Sequence, residues 1–304
     1  MDQKVALAID VGGTKIAGGM IASDGGIVSS FVWTAPTPSG VGDPDLRETI
    51  DVARDLLHGL GEGPFFGVGL GVGVPEYVDG RGSVTSREVM GWSKQPRDVL
   101  EEFAPGGRCI VESDVRCGAI AEAVVGAGKG MASFVYVSLG TGLSSTLVIG
   151  GEPWTGARGE AIALGEFRCE AGHVRSGRLE DQVSGAALAK RFASVRGLEQ
   201  ADARQVIQCA NAGDRDAVQI VVTAADALAV GLANFVAVVD PALLVLGGGL
   251  GQGEGSFHDR LFDTYRRVVG RRGDPPPMVR AQTGADAGLI GAGLVAWRGA
   301  LETE

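Results

Sequence analysis

Three glycine-rich turns in this chain each follow a short apolar run, and two of them offer backbone N–H groups where phosphate oxygens fit. The first is Asp10-Val11-Gly12-Gly13-Thr14-Lys15, after the apolar residues 5–9. Glycines after a strand let amides point at phosphate, Thr14 and Lys15 add donors, and Asp10 at the strand end suits the water shell of a Mg²⁺ ion. This is neither the P-loop nor the GxGxxG pattern, and taken alone it also reads as an ordinary hairpin. Gly140-Thr141-Gly142 offers the same chemistry again, suiting the other end of a triphosphate. Gly247-Gly248-Gly249 ends a third apolar run and can let a flat adenine ring lie against backbone, or form a plain strand–helix junction. Glu112-Ser113-Asp114 ends a fourth. A carboxylate at Asp114 can accept the proton of an attacking hydroxyl, although Ser113 or Asp114 also makes a good cap for the Ala-rich run that follows, and the cap is the plainer reading.

The elements that must position these groups alternate between strand and helix patterns. Strands are predicted at 5–9, 16–21, 27–28, 66–74, 109–111, 134–139, 144–149 and 242–246, with hairpin turns at Asp24-Gly25-Gly26 and Gly150-Gly151. Helices are predicted over 45–60, where Leu46, Ile50, Val52, Ala53, Leu56 and Leu57 share one side, and over 116–125, 184–192, 214–239 and 285–297; residues 99–103 read as a helix end. The unit of strand, Gly-Thr turn, returning strand and hairpin occurs twice, near residues 10 and 140. That repetition points to two related domains with a cleft between them.

With 304 residues the chain is long enough for two cores. Its 50 glycines, about twice the usual ~7% share, sit beside apolar runs, as tight turns at strand ends require. The net charge of −10, with no basic stripe, argues against nucleic acid as a partner. The N-terminus lacks a signal-peptide pattern. The apolar stretch 224–239 is interrupted by Asp226 and Asn234 and is too short to span a bilayer. Cys109, Cys117, Cys169 and Cys209 form no CxxC pair, so neither a disulfide framework nor a cysteine-rich zinc site is expected, and a cytoplasmic location is.

Taken together, these segments resemble the ROK family of repressors, open reading frames and sugar kinases, within the actin-like ATPase/hexokinase superfamily. The segment 10–15 is similar to its first phosphate motif. Gly71-Val72-Gly73-Val74-Pro75 with Val78-Asp79 resembles its GxGxPGxVD segment, and Glu112-Ser113-Asp114 its Glu-Asn-Asp. Gly140-Thr141-Gly142 resembles the second phosphate motif, Asp240-Pro241 through Gly249 the adenosine motif, and 287–292 the closing helix. The resemblance implies an α/β fold of two actin-like (ribonuclease H-like) domains flanking a cleft. Residues 1–114 are expected as the small domain, 115–289 as the large one, and 290–304 as a helix returning to the first. It further implies ATP and Mg²⁺ as cofactors, Asp114 as catalytic base and a homodimer. ROK repressors carry an N-terminal helix-turn-helix, for which a phosphate motif starting at residue 10 is expected to leave no room.

The departures from the family pattern bear on the acceptor. The CxCGxxGC zinc module is replaced by 171–178, in which His173 stands without thiolates, so no structural zinc is expected. In the sugar-binding motif, ungapped spacing puts the glutamate at Glu166 and Cys169 at the histidine; a second alignment uses Glu170 and His173, and His173 can also replace the lost imidazole. Glu180, in the Leu-Glu pair, is taken as a further sugar ligand. The asparagine before the base is Ser113, the one before Gly91-Trp92 is Glu88, and the glycine after Pro75 is Glu76. Glutamate accepts where asparagine both donates and accepts, so Glu88 favours a cationic substituent. The expected reaction is transfer of the γ-phosphoryl group to a 6-OH-type hydroxyl of a hexose-like acceptor. That acceptor is an amino sugar such as kanosamine, with a C7-cyclitol or plain glucose as alternatives. A non-catalytic sugar-binding protein and a ROK transcriptional regulator are the remaining readings.

Overall fold

The computed structural model describes residues 3–13, 15–36, 43–161, 163–169, 177–269 and 274–301. Its first strand, β1 (Gln3–Val11), carries five consecutive buried residues, 5–9, as a strand covered on both faces requires. β2 (Lys15–Ile21) returns antiparallel to it and β3 (Ile27–Pro36) pairs with β2. Helix α1 (Arg47–Glu62) then leads to β4 (Phe65–Val74), parallel to β1, and α2 (Pro96–Leu100) precedes β5 (Cys109–Ser113), parallel to β4. The sheet order is β3-β2-β1-β4-β5. α1 begins two residues later than its apolar spacing predicts. The reason is Asp43, whose carboxylate accepts from the amides of Arg47 (2.8 Å) and Thr49 (3.2 Å), satisfying first-turn donors from outside the helix. α3 (Asp114–Val125) follows β5 without a connecting loop.

A second sheet starts with β6 (Ser133–Leu139) and β7 (Leu143–Ile149); β8 (Glu152–Pro153) pairs with the end of β7 through the Gly150-Gly151 turn. Beyond the short pair β9 (Arg168–Cys169) and β10 (Gly177–Arg178) come four helices, α4 (Glu180–Val183), α5 (Gly185–Arg196), α6 (Ala203–Asn211) and α7 (Arg215–Val239). β11 (Leu244–Gly247), α8 (Gly248–Gly251), α9 (Ser256–Val269) and β12 (Met278–Arg280) complete the layer. β11 lies parallel between β6 and β12, in the order β12-β11-β6-β7-β8. The last helix is α10 (Ala287–Leu301).

The chain divides into two units, residues 1–130 with 148–161 and 285–304, and residues 131–147 with 162–284. These bounds differ from the expected breaks after residues 114 and 289, because α3 and the whole of α10 pack on the first sheet. A Cβ on Gly291 would stand 1.8 Å from the carbonyl oxygen of Cys117 in α3, and one on Gly71 of β4 would stand 1.8 Å from that of Ala292. Backbone meets backbone on both sides of α10, so its small residues are a packing requirement. The core of the second unit gathers around α7. That helix is long and apolar enough by length and composition to cross a membrane, more than the sequence reading of 224–239 allowed. Its residues Ile220, Val221, Ala224, Leu228 and Leu232 are buried in the protein core, and their i, i+4 spacing gives the apolar stripe of a core helix.

Candidate active site

Strand register brings three acidic residues to one edge of the first sheet. Asp10 of β1 pairs with Gly73 of β4, and Val74 of β4 pairs with Ser113 of β5. Since all three strands run parallel, Asp10, Glu76 (two residues past the end of β4) and Asp114 (the first residue past β5) lie at the carboxyl ends of neighbouring strands. Ligands bind there in open parallel sheets. Asp10 and Asp114 keep part of their surface accessible, yet their carboxyls are largely desolvated. Burial pushes the Asp10 carboxyl up to about 6 despite the opposing pull of Lys15, with Asp286 adding a smaller upward push. Burial likewise pushes Asp114 up to about 7, and the charges of Asp10 and Glu76 add to it while the Val115 amide opposes. That amide donates to Asp114 Oδ1 at 2.6 Å. A Cβ on Gly288 would stand 2.5 Å from Asp10 Oδ1, so the N-terminus of α10 approaches that carboxylate as only glycine allows.

The helix-cap reading of 112–114 meets a different geometry. α3 starts at Asp114 and Ser113 occupies its N-cap, but Ser113 makes no side-chain capping bond. Its hydroxyl is fully buried and has no partner among the described residues. Glu112 is held elsewhere: Arg116, wholly buried, donates through Nε to Glu112 Oε1 at 2.6 Å and through Nη2 to the Val78 carbonyl at 2.5 Å. Its Nη1 reaches the carbonyl of Gly159 at 3.4 Å. Arg116 thereby ties the 78–79 turn and the 155–161 loop to the start of α3, a role that sequence reading did not assign it.

Glu88 is exposed, and its carboxylate has no partner among the described residues. Its backbone amide donates to the buried carboxylate of Glu76, as do those of Val89 and Met90. In the 10–15 turn the amide of Gly12 donates to the carbonyl of Lys15 at 2.9 Å, and Gly13 is exposed with no atom within 4 Å of an added Cβ. Thr14 lies outside the described residues, as do Glu170 and His173.

In the second unit the turn 140–142 follows β6 and the turn 247–249 follows β11, parallel neighbours paired through Gly247 and Ser138. The two turns adjoin: a Cβ on Gly140 would stand 3.8 Å from the amide nitrogen of Gly249. Gly248 takes φ +76°, and a Cβ there would lie 2.4 Å from the Leu139 carbonyl, so only glycine fits this position. His258 braces α8 through its Nε2, 3.1 Å from the Gly251 carbonyl, and burial lowers its pKa. Thr141 is anchored by its own carbonyl, which accepts from Ala186 at 3.2 Å. Glu180 Oε2 accepts from the Leu143 amide at 3.1 Å, so this expected sugar ligand also supports the 140–142 turn. Glu166 is exposed and paired with Arg178 at 2.9 Å, and Arg178 also grips Asp181, lowering its pKa. Arg178 escaped sequence reading, since nothing in its local pattern marks it.

The structure therefore places glycine turns at the carboxyl ends of parallel strands in each sheet and, at the end of β5, a part-exposed, high-pKa carboxyl on Asp114. The profile of the ROK family matches residues 6–298. The chain belongs to the ROK family. Among relatives, a glucokinase of Streptomyces coelicolor is 29% identical over 95% of this chain and 96% of its own length. The crystal structure of a ROK hexokinase from Thermus thermophilus superposes with a TM-score of 0.82 at 30% identity, covering 98% of this chain and 99% of that one. A ROK glucokinase from Streptomyces griseus, in complex with glucose and AMPPNP, gives a TM-score of 0.81 at 27% identity, covering 97% and 99%. The mixed α/β fold with two sheets is thus the ROK fold. Of the stretch 171–178, which stands where the family's zinc-binding cysteines were expected, residues 171–176 lie outside the described residues.

Proposed function

We propose that this ROK protein is an ATP-dependent sugar kinase in which Asp114 is the base. Membership of the family and full-length similarity to glucokinases support the class of reaction. The observation that carries the role of Asp114 is its desolvated carboxyl, raised to about 7 at the end of β5. A base poised near the operating pH serves proton abstraction best.

The residues present fit Mg–ATP. Asp10 is a largely desolvated carboxylate without a bonded cation among the described residues, against which α10 packs through a glycine, and the charge of Lys15 acts on it. Asp10 would hold Mg²⁺ mostly through water, and Gly12, Gly13, Thr14, Lys15 and Gly140, Thr141, Gly142 would cradle phosphate. The turn Gly247, Gly248, Gly249 would receive the adenosine. The nucleotide supplies an activated γ-phosphoryl group with a good leaving group. Asp114 Oδ1 is occupied by the Val115 amide, which leaves Oδ2 to accept the proton of the acceptor hydroxyl. The hydroxyl oxygen bonds to the γ-phosphorus as the bond to the β–γ bridging oxygen breaks, and ADP departs with that electron pair. Such a reaction needs alignment and charge stabilisation more than covalent help.

The acceptor is proposed to be hexose-like, phosphorylated at a primary hydroxyl. Ser113, Glu166, Glu180 and Glu88 are its proposed ligands. The exposed, unpaired Glu88 carboxylate supports an amino sugar such as kanosamine over glucose, with a C7-cyclitol the other candidate. Competition between kanosamine and glucose, with Glu88→Gln beside wild type, tests the point. The amino sugar is preferred at a pH where its amine is charged and loses about tenfold of that preference in Glu88→Gln. No preference in the wild type leaves glucose as the acceptor. Homodimerisation is proposed on the family resemblance, and a cytoplasmic setting on the cysteine spacing.

A further inference from the structure

Glu76 stands where the family pattern has glycine, and its surroundings are those of an anion site filled from within the protein. Its side chain is buried, 5% exposed, two residues past the end of β4. Oε1 accepts from the amides of Val89 and Met90, both at 2.8 Å, and Oε2 accepts from the Glu88 amide at 3.1 Å and from the Ser86 hydroxyl. Four donors converge on two oxygens. The three amides carry no acceptor to offer in return, so an ionised carboxylate is the side chain that satisfies them together. The same loop is held from a second side, where the Tyr77 amide donates to Ser86 Oγ at 2.9 Å. The register that pairs Val74 with Ser113 places Glu76 alongside Asp114 at the sheet edge.

We propose that Glu76 is a positioning residue for the acceptor: by clamping residues 86–90 against the carboxyl end of β4, it fixes Glu88 at the edge that carries Asp114. The inference rests on the kinase reading, with Asp114 as base and the acceptor bound beside it. A family member with glycine here has no side chain with which to make this clamp, so the position separates this chain from others by how its acceptor loop is held.

The test compares wild type with Glu76→Gln, in which an amide NH₂ replaces one acceptor and meets donors instead. Steady-state kinetics use Mg–ATP and whichever of glucose, mannose, N-acetylmannosamine, kanosamine and a C7-cyclitol the wild type turns over best. Hydrogen exchange of the amides of Glu88, Val89 and Met90 is followed in the same proteins. The expected result is an acceptor KM raised by about tenfold or more, an ATP KM within about twofold of wild type, and faster exchange at the three amides. A folded Glu76→Gln with unchanged acceptor KM overturns the proposal, and so does an equal rise in both KM values. Should Glu76→Gln fail to fold, Ser86→Ala decides in the same way, with a smaller but selective rise in acceptor KM expected and no selective rise counting against. Activity surviving in Asp114→Asn marks failure of the underlying reading, whatever Glu76 does.

Discussion

Asp114 couples activity to stability with opposite signs. Its carboxyl has a native pKa of about 7 against an ordinary value of 3.8, so the native state binds its proton more tightly than the unfolded chain does. Its contribution to stability is full below about 3.8 and is lost as pH rises to about 7, where the buried charge must be carried. Asp114→Asn removes that charge. At pH 7.5 it should raise the melting temperature by roughly 5 °C while lowering kcat by about 10²–10⁴-fold, read by calorimetry and ADP release. In the wild type, kcat/KM should fall as pH drops through about 7, where Asp114 takes up its proton. Equal melting temperatures for the two proteins at pH 7.5 would contradict the desolvation account. The candidate residues Asp10, Gly13, Ser113 and Asp114 were legible because each ends or follows a clear apolar run. Glu76 was visible as a substitution, but its function was not, since its partners lie 10–14 residues away across a loop and no local pattern encodes them. Arg116 was hidden in the same way inside an Ala-rich helix.

At the scale of elements, glycine does two distinct jobs, and substitution separates them. Gly291 on α10 leaves no room beside the Cys117 carbonyl, and Gly71 leaves none beside that of Ala292. Gly291→Ala should destabilise the protein by about 1–3 kcal/mol or more, as overpacking does, measured by chemical denaturation. Gly13 has open space around it and no left-handed backbone. Gly13→Ala should therefore leave the melting temperature of the free protein unchanged and raise the ATP KM several-fold, since a methyl there meets only an approaching phosphate. A Gly13→Ala protein with wild-type ATP KM would remove this turn from the phosphate site. Most strands were legible from their apolar runs, whereas α1 starts where Asp43 caps it, a contact that spacing alone does not show. α9 was missed although Phe257, Leu261 and Tyr265 repeat at helical spacing; its many charged residues obscured the stripe. α6 was missed because only Val206 and Ala210 are buried along it.

At the scale of the molecule, the repeated strand–turn–strand pattern corresponds to two sheets, each with glycine turns at the carboxyl ends of parallel strands. The expected domain boundaries came from the family resemblance, but helices are assigned to units by what they pack against, and α3 and α10 pack together. If the 10–15 turn binds nucleotide phosphate, Mg–AMPPNP at about 100 times its Kd should stabilise the protein by about 2.7 kcal/mol, and less so in Gly13→Ala at the same concentration. Light scattering at micromolar concentration tests the proposed homodimer, with twice the monomer mass expected. The central claim, a sugar kinase with Asp114 as base, is tested most directly by ADP release from Mg–ATP with glucose, mannose, N-acetylmannosamine, kanosamine and a C7-cyclitol, in wild type and Asp114→Asn. The account predicts turnover on at least one of these acceptors that is lost in the folded variant. Acceptor-dependent turnover that persists undiminished in Asp114→Asn, or its absence on every acceptor from a wild type that binds ATP, would contradict it.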